Sequence, residues 1–184
     1  MDIKKKDLRG TYFYDMFLYT YRFLKKYING IPGVGYTWNW IPTASQEAQF
    51  IVLQYGNAPL INALLRACMD ELKRKLQYIA EQSENGLWMI PEHFDCAFNQ
   101  SRYWGDFQKF WDLFCAYYPY AEKAAVAGKD KDEEFWQSFM KEAARIGDPK
   151  EGEQKDRFLQ DLILAGIDEA ERSYNAAKGS PQAA

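Results

Sequence analysis

Residues 12–28 read YFYDMFLYTYRFLKKYI, and this stretch decides the fold class. Its apolar side chains fall at Phe13, Phe17, Leu24 and Ile28, and at Tyr12, Met16, Tyr19, Phe23 and Tyr27. Steps of three and four wind these positions onto one side of an α-helix. Asp15, Arg22, Lys25 and Lys26 collect on the remaining stripe. A half-buried strand would alternate with period two, and this stretch does not. Asn29-Gly30 predicts the stop, because glycine closes helices readily and Pro32 follows.

The same periodicity runs through most of the chain. Thr43 and Gln46 have capping-box spacing and open a second helix that ends at Gly56. Asn57 is expected to cap a long third helix, with Pro59 in its first turn and Ile61, Leu64, Leu65, Cys68, Leu72, Leu76 and Ile79 as its stripe. Glu84-Asn85-Gly86 ends it, and Pro91 opens a short helix through Phe98. Ser101 caps a helix whose buried face is Tyr103, Phe107, Phe110, Phe114 and Tyr117, and Pro119 ends it. Further helices are expected from about Lys131 to Ile146 and, after Asp148-Pro149, along Leu159, Leu162, Ile163, Gly166, Ile167, Ala170 and Tyr174. The fold class is therefore all-α: a single-domain bundle of six to seven helices. The domain spans 1–178, with 130–178 as a semi-independent helical pair and 179–184 as a disordered tail. Alternation at 34–40 also fits a small β-hairpin arm.

The chain has 184 residues, enough to bury a core without metal or disulfide staples. Twelve Phe, thirteen Tyr and six Trp make it 17 % aromatic, so the core is expected to be rich in rings. Each packed ring buries on the order of 150–250 Å². Tyr and Trp left at the surface are the residue types enriched at interfaces.

Charge and motifs exclude most chemistries. The formal net charge is −3, so the chain is acidic overall and no nucleic-acid polycation. Residues 1–30 nonetheless hold seven Lys/Arg against three Asp, and this basic N-terminal helix is the one place where nucleic acid could bind. The single histidine removes zinc sites built on several histidines and paired Glu-x-x-His di-iron sites. Gly30, Gly33 and Gly35 lack the spacing and the preceding strand of a dinucleotide loop. Three cysteines without a CxxC pair argue against a disulfide framework and for buried thiols in a reducing compartment. No signal-like or membrane-spanning apolar run occurs, so a cytoplasmic location without membrane contact is expected. Neither a cofactor nor a metal is implied.

Two groups of residues remain as site candidates. His93 and Cys96 lie one helical turn apart and form a weak catalytic candidate, since an imidazolium can activate a thiolate. Tyr36, Trp38, Asn39 and Trp40 sit in a Gly/Pro connector that helical amphipathicity does not explain, close behind Lys25 and Lys26. Either the two indoles plug the gap between the first two helices, or they form an exposed anchor for a partner. The function expected is non-catalytic: an interaction protein that binds a protein partner through exposed Trp/Tyr and charged helix faces. That class includes phage or mobile-element inhibitors of a host enzyme or nuclease. The alternative is a small-molecule binding protein or enzyme with an aromatic-lined pocket near His93. Burial of both tryptophans would remove the docking role.

Overall fold

The computed structural model describes residues 4–82, 100–148 and 156–179. Seven α-helices occupy them: α1 (Tyr12–Tyr27), α2 (Trp40–Gln54), α3 (Pro59–Gln82), α4 (Gln100–Tyr117), α5 (Ala121–Val126), α6 (Lys129–Gly147) and α7 (Arg157–Gly179). A single 3₁₀ turn, Tyr118–Tyr120, follows α4 where Pro119 denies the helix an N–H. The protein is all-α, with a core rich in aromatic rings. Among the described residues no strand forms. The alternation at 34–40 yields no hairpin arm; the only β pairing among the described residues is an isolated bridge between Ile31 and Gly35.

The chain divides into two compact units, one of Tyr12–Gly105 and one of Met1–Thr11 with Asp106–Ala184. In the first, α1 and α2 both pack on α3. Most of the stripes read from the sequence are buried, Met16, Phe17, Phe23 and Leu24 from α1 and Ile61, Leu64, Leu65, Cys68, Leu72 and Ile79 from α3, whereas Tyr12 and Tyr19 of the α1 stripe are exposed. Thr20 is also buried, its hydroxyl donating to the Met16 carbonyl at 2.7 Å. Glu71 is a buried carboxylate that accepts from the Tyr103 hydroxyl at 2.7 Å and from Arg74 Nε at 2.8 Å. Two donors on the two oxygens make that burial tolerable.

In the second unit Phe135 and Phe139 of α6 meet Tyr117, whose ring lies parallel to that of Phe139 at 4.6 Å. Leu159, Ile163, Ala170 and Tyr174 of α7 complete this cluster. Gly166 explains the small-residue face of α7. A Cβ there would meet Phe110 Cε2 at 3.0 Å, so the missing side chain gives room to a ring. Residues 4–9 lie along α4: the Lys6 N–H donates to the Cys115 carbonyl at 3.1 Å, Lys5 pairs with Asp112, and the Tyr120 hydroxyl donates to the Lys4 carbonyl at 2.8 Å.

Several boundaries differ from expectation. α2 begins at Trp40, three residues before Thr43. Asn57 does not cap α3 but closes α2. Gly56, at φ +63°, donates to the Leu53 carbonyl and Asn57 to the Val52 carbonyl, both at 3.0 Å, which is a Schellman closure. α4 already includes Gln100 and Ser101, so Ser101 is not its cap. α6 starts at Lys129, two residues early. Asp148 is extended, and Pro149 with the residues to 155 lies outside the described residues; α7 is capped by Asp156, whose Oδ1 accepts from the Leu159 N–H at 3.1 Å. Gly179 belongs to α7, whereas 180–184 lie outside the described residues, as do the stop at Glu84-Asn85-Gly86 and the helix from Pro91 to Phe98.

Cys68 and Cys115 are both buried. Burial pushes the Cys68 thiol well above its ordinary range and that of Cys115 up to about 11. At pH 8 roughly one Cys115 in a thousand is then thiolate, the reactive form. A Cys96→Ala variant, which isolates these two, is expected to resist a disulfide reagent at pH 8 until denaturant is added. Prompt modification of the native protein would contradict their burial.

Candidate functional site

The connector between α1 and α2 is built by its glycines. Gly30 has φ +92°, and a Cβ on it would lie 2.4 Å from the carbonyl carbon and oxygen of Gly35. No side chain fits there, so the backbone doubles back at once. Ile31 and Gly35 then exchange hydrogen bonds, Ile31 N–H to Gly35 O at 2.7 Å and Gly35 N–H to Ile31 O at 2.8 Å. The Tyr36 hydroxyl ties the returning chain down by donating to the Ile28 carbonyl at 3.2 Å.

The two tryptophans have opposite fates. Trp40 is 1 % exposed, and its indole N–H donates to the Tyr27 carbonyl at 2.7 Å. That carbonyl ends α1 and also accepts from the Gly30 N–H at 2.9 Å, so the indole is its second donor. Trp40 is therefore the plug. The Tyr36 ring packs edge-on against it, with centroids 4.9 Å apart. Trp38 is 76 % exposed and stands between these two fixed residues, with exposed Asn39 beside it. Among the described tryptophans it alone is exposed.

The lysines are only partly available. Lys26 Nζ pairs with Glu47 of α2 at 2.5 Å, and the Tyr27 hydroxyl donates to the same carboxylate oxygen at 2.5 Å. The hydrogen bond to Glu47 holds the Lys26 pKa above its ordinary value, and burial followed by Glu47 raises that of Tyr27. Lys26 thus fastens α1 to α2. Lys25 is exposed. Across the turn, the Lys75 ammonium lies 5.5 Å from the Tyr36 ring centroid and donates to Asn29 Oδ1 at 3.3 Å. His93 and Cys96, the weak catalytic candidates, lie outside the described residues.

Sequence reasoning missed two features of this unit. Tyr12, Tyr19 and Tyr55 form a partly exposed cluster with centroids 5.3 and 5.8 Å from Tyr55, whose hydroxyl is pushed up to about 12, chiefly by burial. Between α2 and α3 runs an open groove of about 680 Å³. The signal for the groove was present in α2, which carries one charged residue in fifteen. Its outer side mixes exposed Gln46, Gln49 and Gln54 with exposed Phe50 and Leu53.

Compared with family models, curated proteins and solved structures, the chain matches none. Among the described residues no helix is long and apolar enough to cross a membrane.

Proposed function

We propose that the protein is a non-catalytic interaction module that docks a protein partner on the Trp38 turn. The supporting observation is an indole 76 % exposed to water on a turn whose neighbours on both sides are pinned. Exposure supplies the apolar area, and the pinned Tyr36 and Trp40 lower the backbone part of the cost of ordering the anchor when it binds. Asn39 and Lys25 are exposed nearby in sequence and furnish polar contacts for a rim. A protein partner is favoured over nucleic acid because the basic N-terminus is already engaged: Lys5 with Asp112, Arg9 with Asp7 at 2.7 Å, and Lys6 over the Tyr120 ring at 5.2 Å.

The test is comparative capture from the native source with wild type, Trp38→Ala and Met140→Ala, the last removing an exposed side chain of α6. Truncating an anchor of this type costs about 2 kcal/mol or more, roughly thirty-fold in Kd. A protein retained by wild type and by Met140→Ala but lost by Trp38→Ala is the expected result. Equal recovery by all three would remove the assignment. Capture of an enzyme or nuclease that the wild-type protein then inhibits would place the molecule among inhibitors.

A further inference from the structure

We propose that Tyr12, Tyr19 and Tyr55, with Asp15 among them, form a receptor for a methylated ammonium group, the head of a trimethyllysine side chain. All four residues belong to the first compact unit. Tyr12, Asp15 and Tyr19 recur at steps of three and four along α1, so they share one face of that helix. Tyr55 follows the end of α2 and touches both outer rings, with centroids 5.3 Å from Tyr12 and 5.8 Å from Tyr19. The rings are inclined at 55° and 72°, so neither outer ring lies flat on Tyr55. Tyr12 and Tyr19 are both exposed, which leaves π surface open to water. The cluster is held in place, because the Tyr12 hydroxyl donates to the Tyr55 carbonyl at 3.0 Å.

Charge identifies the occupant. Elsewhere the chain supplies cations to its own tyrosines: a lysine or arginine stands 5.0–5.8 Å from the ring centroids of Tyr27, Tyr36, Tyr103, Tyr120 and Tyr174. Among the described residues no lysine or arginine stands over Tyr12, Tyr19 or Tyr55. What these rings have instead is a carboxylate. Asp15 is exposed, and among the described residues its side chain makes no ion pair. Its charge is felt at the Tyr55 hydroxyl, which burial first, and then Tyr19 and Asp15, push up to about 12. The next cation along α1, Arg22, lies two turns beyond Asp15, about 10 Å on the rise of a helix. Open ring faces beside an uncompensated negative charge attract a weakly hydrated cation. A bare lysine ammonium is strongly hydrated. Methylation weakens that hydration and adds apolar contact with the rings. Phosphocholine carries the same head but brings a phosphate close to Asp15, which repels it.

Proton NMR of Nα-acetyl-trimethyllysine, titrated with the full chain at low salt, tests the site. Its N-methyl line is expected to move upfield, since ring currents shield protons held over a ring face, with a dissociation constant in the roughly millimolar range. Nα-acetyl-lysine and the neutral tert-butyl isostere of the trimethylammonium group should each bind about fivefold more weakly or worse. Asp15→Asn and Tyr19→Ala should each weaken binding about three- to fivefold. Both side chains are exposed, so the helical circular dichroism should not change. Tyr19→Phe, which keeps the ring, should bind like wild type. So should Trp38→Ala, which separates this site from the docking turn. An unmoved methyl line, equal binding of the neutral isostere, or binding unaltered in both Asp15→Asn and Tyr19→Ala would overturn the proposal. Phosphocholine binding as tightly as the lysine derivative would overturn the assignment to lysine.

Discussion

Replacing Trp40 with alanine is expected to destabilise the protein by about 3–5 kcal/mol, the range for emptying a buried aromatic site. The indole is sealed, and three things depend on it. Its ring fills the space under the connector, its N–H adds a second donor to the last carbonyl of α1 beside the Gly30 N–H, and its edge contact steadies Tyr36. The site cannot collapse easily, since α1 and α2 are also joined by the Lys26–Glu47 pair. Trp40→Phe should recover much of the volume and lose the hydrogen bond, with a cost of about 1–2 kcal/mol. Trp38→Ala, two residues away, should stay within about 0.5 kcal/mol of wild type, as exposed substitutions do. Denaturant unfolding of the three variants decides the matter. Equal losses at positions 38 and 40 would mean that plug and anchor have been wrongly distinguished.

Gly30→Ala should cost about 3 kcal/mol or more and displace the docking turn with it. Two penalties combine at this position. An alanine at φ +92° occupies a left-handed conformation that disfavours a Cβ by roughly 1–2 kcal/mol. Its methyl would also fall 2.4 Å from backbone atoms of Gly35, which cannot swing aside as a flexible side chain would. Gly33→Ala separates the two effects. Gly33 also has positive φ, +76°, but nothing lies within 4 Å of where its Cβ would be. That variant should lose only about 1–2 kcal/mol and keep partner capture. If the two alanine variants unfold at the same denaturant concentration, the close approach of Gly30 to Gly35 does not hold the turn together.

Most of the architecture was legible because it rests on local periodicity. The stripes of α1, α3 and α7 are apolar at three- and four-residue steps, and most of those side chains are buried, with Tyr12 and Tyr19 of α1 the exposed exceptions. Helix ends were harder, because several are settled by contacts with distant residues. Thr43 has the chemistry of a cap, yet the Tyr27 carbonyl draws the Trp40 indole inward and α2 starts there. Asn57 likewise has capping chemistry but sits at φ +59°, closing the helix before it.

The candidate site was half legible. Its residues stood out as aromatics in a connector, but alternation could not say which indole faces inward. That depends on a carbonyl thirteen residues upstream. Lys26 reads as a surface charge in sequence because its partner Glu47 lies twenty-one residues away, on another helix. The groove beside α2 left a sequence signal, the near absence of charge, that periodicity alone passes over.

The docking of Lys4–Arg9 along α4 bears on how the chain is made. Synthesis runs from the N-terminus, so these residues leave the ribosome before Asp112 and Tyr120, which follow 107 and 116 positions after their partners. All of Tyr12–Gly105 is translated before Asp112 exists, so that unit has its full complement of contacts while its neighbour is still being elongated. The Lys4–Arg9 segment must therefore wait, solvated and positively charged, and is fastened only once α4 and the turn after it have formed.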